Sequence, residues 1–230
     1  MMGFMETSVF FGAALSLGAY GIGVLLRSKT GLAVFNPLLV AVVLVIAFLG
    51  VTGLDYPAYN EGAKYISYLL TPATVALAIP LYKQVHLLRQ NALAIGIGIA
   101  TGVLSSLVCI AVLALVFRFT HEEYVTFLPK SITTAIGMGV SEELGGYAAI
   151  TAAVIIITGI FGNIIGEAVL RLFAIREPIA RGIALGSASH AIGTAKAMEL
   201  GEVEGAMSSL SIVLSGILTV AGAMVFAPLL

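Results

Sequence analysis

The sequence predicts an all-α integral membrane protein, built like a secondary transporter, and three observations carry that prediction. Of 230 residues, 60% are hydrophobic and 10% charged, with a mean hydropathy of +1.09, far too apolar for a soluble domain of this length. Several stretches reach the ~20 apolar residues a helix needs to cross ~30 Å of hydrocarbon, and none has the strict alternation of a membrane β-barrel. Polar segments rich in small residues recur between them in a register, which makes the expected architecture about seven crossings plus a re-entrant segment, in two inverted repeats with paired discontinuous helices.

Ser8 to Leu26 is the first expected crossing, closed by the basic loop Arg27 to Gly31. Before it, MMGFMETSVF carries Glu6 where a signal peptide would be basic, and no small-residue cleavage site follows, so a retained helix is expected. Asn36-Pro37 opens a second crossing, Leu38 to Leu54, since proline is tolerated in a first helical turn. Asp55 to Lys64 is polar and reads as a loop. Tyr65 to Tyr82 is apolar but interrupted by Pro72 and Pro80, so a discontinuous helix is expected, and broken backbone at membrane depth survives only against protein or a watery cavity. The basic stretch Lys83 to Gln90 leads into a long crossing, Asn91 to Phe117, whose only cysteine, Cys109, is expected as a buried apolar side chain.

Arg118 to Lys130 is polar, and Pro129 to Gly146 is too weakly apolar for an ordinary span. Ala148 to Phe173 is a clear crossing, closed by Arg171, Arg176 and Arg181. Gly186 to Gly205 then places His190, Lys196, Glu199, Glu202 and Glu204 among small residues, and Met207 to Leu229 is the last crossing.

Two registers link these segments. Ala135-Ile136-Gly137 with Glu143-Leu144-Gly145 recurs 56 residues later as Ala191-Ile192-Gly193 with Glu199-Leu200-Gly201, and Ala78-Ile79-Pro80 stands 57 residues before the first. A shift of about 113 overlays the two polar breaks and suggests halves near 8–118 and 121–230 within one transmembrane domain, 1–230. Basic loops orient the halves. Arg27, Lys29, Lys83, Arg89, Arg171, Arg176 and Arg181 fall in three loops that belong in the cytoplasm. Pro129 to Gly146 must then enter and leave on the outer face, with the N-terminus outside and the C-terminus cytoplasmic. Inverted repeats with broken helices are a signature of secondary transporters, whose site lies near the midplane.

Half-helix N-termini present unpaired N–H groups suited to a carboxylate. Thr71 and Thr74, Ser131, Thr133 and Thr134, and Ser189 with His190, Thr194 and Lys196 are the candidate binding residues; capping and close packing are the plainer roles of their hydroxyls. Lys196 can pair with Glu199 three residues on, and His190, Thr194 and Lys196 can line a polar path. Two readings stand side by side. Either Lys196 or His190 meets an anion while His190 or Glu199 exchanges a coupling proton, or the segment surfaces as a loop and its charges are solvated. Asn163 and Glu167 share a helix face, as an ion site or as interhelical glue. Glu142, Glu143, Glu202 and Glu204 are expected at aqueous edges, and His86 and His121 have no assigned role.

A net charge of −1 without basic runs argues against nucleic acid or an acidic polymer as a partner, and a lone cysteine excludes an intrachain disulfide and a cysteine metal site. One aspartate, no metal-ligand spacing, no serine elbow and no P-loop leave neither an enzyme nor a cofactor to expect.

In PATVALAIPLYKQ (Pro72 to Gln84), PKSITT (Pro129 to Thr134), GNIIGE (Gly162 to Glu167), ASHAIGTAKAMELGE (Ala188 to Glu202) and GAMSSL (Gly205 to Leu210), the chain resembles the LrgB/CidB family over nearly its whole length. The resemblance implies a bacterial inner-membrane protein paired with a small LrgA/CidA-type membrane protein, antiholin-like or holin-like, regulating murein hydrolase activity and autolysis. It also implies likeness to the C-terminal half of the plant plastid glycolate/glycerate transporter, hence passage of small monocarboxylates such as glycolate, glycerate, lactate or pyruvate. A homo-oligomer in the lipid bilayer fits the many Gly and Ala residues that permit close helix packing. The shared motifs implicate Pro72, Thr74, Lys130, Ser131, Thr133, Asn163, Glu167, Ser189, His190, Gly193, Thr194 and Lys196. Ala135 departs from the proline that relatives often carry after the paired threonines.

Overall fold

A computed structural model describes residues 8 and 10–230; Glu6 lies outside the described residues. Regular structure among them is helical throughout: α1 Phe11–Thr30, α2 Pro37–Thr52, α3 Tyr56–Ser67, α4 Leu70–Ala76, α5 Ala78–Lys83, α6 Val85–Gln90, α7 Ala92–Phe117, α8 His121–Phe127, α9 Thr134–Glu143, α10 Ala148–Leu172, α11 Pro178–Leu200 and α12 Glu202–Phe226. Five helical stretches, Phe11–Thr30, Tyr56–Lys83, Ala92–Phe117, Ala148–Leu172 and Glu202–Leu229, are long and apolar enough to cross a membrane. The chain is an all-α membrane protein. At 16 residues, about 24 Å, α2 is the shorter apolar helix beside these. Contacts divide the chain into two compact units, one ending at Ala76 and the other running Leu77–Leu230.

In the first unit α1 packs on α2 and α3 through glycine, where a Cβ on Gly12 would strike the Tyr59 carbonyl and one on Gly23 would strike Pro37. Asn36 caps α2, its Oδ1 accepting from the Leu38 and Leu39 amides at 2.9 and 3.2 Å. The stretch expected as a polar loop, Asp55 to Lys64, is instead helical in α3. Pro57 suits a first turn, Gly62 is buried, and the Tyr59 hydroxyl meets Ser16 Oγ at 2.7 Å. Beyond α3 the apolar segment that carries Pro72 and Pro80 is interrupted, as expected, and forms the short helices α4 and α5.

The second unit has two ends that its helices define. At one, Ile95 and Ile99 of α7 cluster with Ile183 and Met207; at the other, Leu107, Ile110 and Ala114 cluster with Tyr124, Ala223 and Ala227. Thus α7 and α12 run the same way, from the end that carries Arg171, Arg176 and Arg181 to its opposite. Cys109 is exposed, not buried as expected. The buried stripe of α7 runs Ile95, Ile99, Val103, Leu107, Ile110, Ala114, and Cys109 lies off it, on a face that apolar lipid serves as well as protein would.

Between α7 and α10 the chain folds as a hairpin from the opposite end. A capping box starts α8, with Thr120 N–H donating to Glu123 Oε2 at 2.9 Å and Glu123 N–H to Thr120 Oγ1 at 3.3 Å. That stretch, polar in sequence, still buries Tyr124, Val125 and Leu128. Thr126 and Ser141 lie side by side against the start of α10, where Tyr147 N–H donates to Thr126 Oγ1 at 2.8 Å and Thr151 Oγ1 to Ser141 Oγ at 2.7 Å. Nearer the tip, a Cβ on Gly137 would crowd the Pro129 carbonyl. The α8 arm and the α9 arm therefore run antiparallel, as the re-entrant expectation requires, and ten-residue α9 spans only about 15 Å. At the aqueous edge of this hairpin Tyr147 Oη donates to Glu122 Oε2 at 3.3 Å, and that carboxylate's charge holds the phenol above its ordinary pKa.

Candidate functional site

The polar run around His190 forms a second hairpin. Helical backbone fails at Ser189 (φ −134°, ψ 16°) and His190 (φ 43°, ψ −137°). In a straight helix Leu185 and Gly193 would stand about 12 Å apart, yet a Cβ on Gly193 would collide with the Leu185 carbonyl, and Gly186 and Thr194 both meet Ser208. The expected crossing here is thus corrected. The segment enters at the arginine end, turns at Ser189-His190 and returns to the same end.

Contacts along α10 measure its depth. The Ser189-His190 tip lies against Ile155, Gly159 and Gly162, near the middle of α10, and Leu185 and Ala197 reach Leu170 at its end. Because α12 then leads to the opposite end, where His121 Nδ1 meets the Leu230 carbonyl oxygen at 2.7 Å, the C-terminus and the Arg171–Arg181 loop lie at opposite ends. They cannot both be cytoplasmic, contrary to the expectation drawn from the basic loops.

Glycine makes the close approach possible. A Cβ on Gly159 would strike the His190 ring and one on Gly162 would overlap Ser189 Oγ. On the other side Gly182 and Gly186, four apart, admit the backbones of Glu204 and Ser208. Several polar groups at the turn find partners. His190 Nε2 lies 3.0 Å from the Ile155 carbonyl, Thr194 Oγ1 donates to the His190 carbonyl at 3.0 Å and meets Ser208 Oγ at 2.7 Å, and Asn163 Nδ2 donates to the Ile192 carbonyl at 2.8 Å. His190 is 4% exposed and Thr194 1%. Both brace the hairpin from within. Positive φ in a non-glycine residue costs ~1–3 kcal/mol, which these contacts offset.

Lys196 is separate from this group. Its Nζ lies 3.0 Å from Glu167 Oε2 and 3.1 Å from Glu199 Oε2, so two carboxylates hold it and it does not extend a path from His190 and Thr194. Asn163 and Glu167, read as sharing a face, both reach the returning arm of the second hairpin.

Lys130 and Ser189 come together. Both line a cavity of about 500 Å³ whose other walls include Thr158, Phe161 and Gly162 of α10 and Leu185. The tips of the two hairpins, entering from opposite ends, thus share one space at mid-height. Lys130 Nζ donates to Ser131 Oγ at 2.9 Å and has no carboxylate within 4 Å among the described residues; Ser131 also meets Ser106 Oγ of α7 at 3.2 Å. Thr133 stands at the N-cap of α9 without a side-chain cap bond, and Thr134 begins the helix, both half-buried. Thr71 is exposed in α4, in the other unit, and of Thr74 only the backbone is described.

Glu204 corrects the expectation of an aqueous edge. It is 5% exposed, and Arg181 Nη1 donates to its Oε1 at 3.1 Å. The partner lies 23 residues away on another arm, so only the neighbouring Gly201 and Gly205 hinted at close packing. Glu202, Glu142 and Glu143 are exposed as expected.

The sequence model of the LrgB-like family matches residues 16–229. The chain is 41% identical over 220 residues to the antiholin-like protein LrgB of Bacillus mycoides (strain KBAB4), covering 95% of this chain and 96% of that relative. It is as similar, over the same shares, to the proteins of that name from Bacillus cereus (strain B4264) and Bacillus anthracis (strain CDC 684 / NRRL 3495). No solved structure matches the chain significantly.

Proposed function

We propose, from the premise that this chain belongs to the LrgB-like family, that it acts in the membrane as an antiholin-like protein, regulating murein hydrolase activity and autolysis with an LrgA/CidA-type partner. The observation that carries this reading is the 41% identity to antiholin-like relatives over 95% of the chain. Removing the protein from its host is expected to change the rate of induced autolysis, followed as loss of turbidity, and re-expression to restore it. Identical lysis curves with and without the protein would count against the reading.

A second reading, passage of small monocarboxylates such as glycolate, glycerate, lactate or pyruvate, is favoured by the meeting of the hairpin tips. A lysine at membrane depth costs ~2.5–3.5 kcal/mol to insert. Lys130 has no carboxylate beside it among the described residues, and a substrate anion in the cavity it shares with Ser189 would supply one. Proteoliposomes holding the chain and its partner are expected to take up labelled monocarboxylate, and Lys130→Ala to cut uptake about tenfold or more, the worth of one charge-assisted contact. Absence of uptake for every monocarboxylate tried would sink it. The two readings are compatible if lysis control follows metabolite flux.

A further inference from the structure

We infer that the arginine end of the second unit holds a site for a phosphate-ester anion, of the kind an anionic lipid headgroup presents. Arg171, Arg176 and Arg181 line one pocket of about 290 Å³ together with Leu170, Ala174 and Ile175. The backbone fixes that pocket. α10 ends with Ile175 N–H donating to the Leu170 carbonyl at 2.8 Å and Ala174 N–H to the Arg171 carbonyl at 3.1 Å, and Ala174 takes φ 54°. This closing turn satisfies the last carbonyls and folds Arg176 back towards Arg171. Pro178 then starts α11, which carries Arg181 in its first turn.

Acidic neighbours offset only part of the cluster's charge. Glu167, one turn before Arg171, gives its Oε2 to Lys196 at 3.0 Å, and Glu204 engages only Nη1 of Arg181, whose Nε is buried with no acceptor among the described residues. Arg171 and Arg176 have no carboxylate within 4 Å there. The guanidinium forks of Arg171 and Arg176, with the charge of Arg181 beside them, match the bidentate geometry of phosphate oxygens. Position selects the source. Leu172 and Phe173, 79% and 70% exposed, mark where the apolar span of α10 gives way to the basic loop, the level at which headgroup phosphates lie. A phosphate held there ties the end of α10 to the outer arm of the second hairpin.

Native mass spectrometry of the purified, delipidated full-length protein tests this, with phosphatidylglycerol and phosphatidylethanolamine added in turn. Wild type is expected to keep phosphatidylglycerol several-fold better than phosphatidylethanolamine, and Arg171→Gln/Arg176→Gln to lose that preference by on the order of tenfold. Arg171→Lys/Arg176→Lys, which keeps charge but not the fork, should fall between, and Lys29→Gln, in another basic loop, should match wild type. Arg176→Gln alone, at an exposed loop position, serves if the double variant does not fold. In a parallel arm, inorganic phosphate that raises the melting temperature of wild type but not of the double variant, without lipid preference, would support the site with a soluble phosphate as its ligand. If neither phosphatidylglycerol nor phosphate distinguishes wild type from the arginine variants, the inference fails.

Discussion

At the scale of single residues, the molecule depends on what is missing as much as on what is present. Gly162 faces Ser189 Oγ across a gap that no side chain can enter. Gly162→Leu is expected to cost ~1–3 kcal/mol through overpacking, read as a lower melting temperature in detergent; an unchanged melt would refute the close approach. His190 offers a sharper comparison, because it combines positive φ with a ring held at the Ile155 carbonyl. His190→Gly loses only the ring contact and His190→Val loses both the contact and a tolerable backbone, so the valine variant should melt lower. Glu204→Gln removes the charge beside Arg181, which is still about a quarter exposed, so ~1–2 kcal/mol is expected, below the cost for a fully buried pair. Exposed Glu202→Gln should stay within ~0.5 kcal/mol of wild type. Equal effects from the two glutamates would contradict the burial of Glu204.

At the scale of elements, two hairpins and two crossings form a repeat of opposite sense. The α8–α9 hairpin with α10 and the α11 hairpin with α12 enter from opposite ends, and their return arms carry the sequence register Ala135-Ile136-Gly137 and Ala191-Ile192-Gly193. The short register of 56 residues thus coincides with the structural unit. This arrangement makes a labelling prediction. In a Cys109→Ala background, Arg176→Cys and Glu202→Cys should react with an impermeant thiol reagent from one side of the membrane, and Glu143→Cys from the other. Labelling of Glu202→Cys and Glu143→Cys from the same side would remove the second hairpin.

At the scale of the whole molecule, the same cavity can link the two proposed activities. If lysis control follows flux, Lys130→Ala and Ser189→Ala should shift the autolysis rate in proportion to the uptake they lose; lysis control that survives when uptake is abolished would separate the two. Much of this architecture was legible in the chain. Composition decided an all-α membrane protein, because a backbone in hydrocarbon must satisfy its own hydrogen bonds, and the polar, glycine-rich words marked where helices break. Ser189 was named from those words, and Lys130, 59 residues before it, from the motif shared with the LrgB/CidB family. Tertiary structure alone decided that α11 doubles back, since the backbone angles of Ser189 and His190 separate a kink from a reversal and the turn's stability rests on glycines of α10 and α11. It also decided that Glu204 is buried, that Cys109 faces outward, that Lys196 is spent on two carboxylates and that Lys130 is not. Local pattern reports which residues favour water or lipid. Which charges find partners depends on distances between helices that the chain order does not contain.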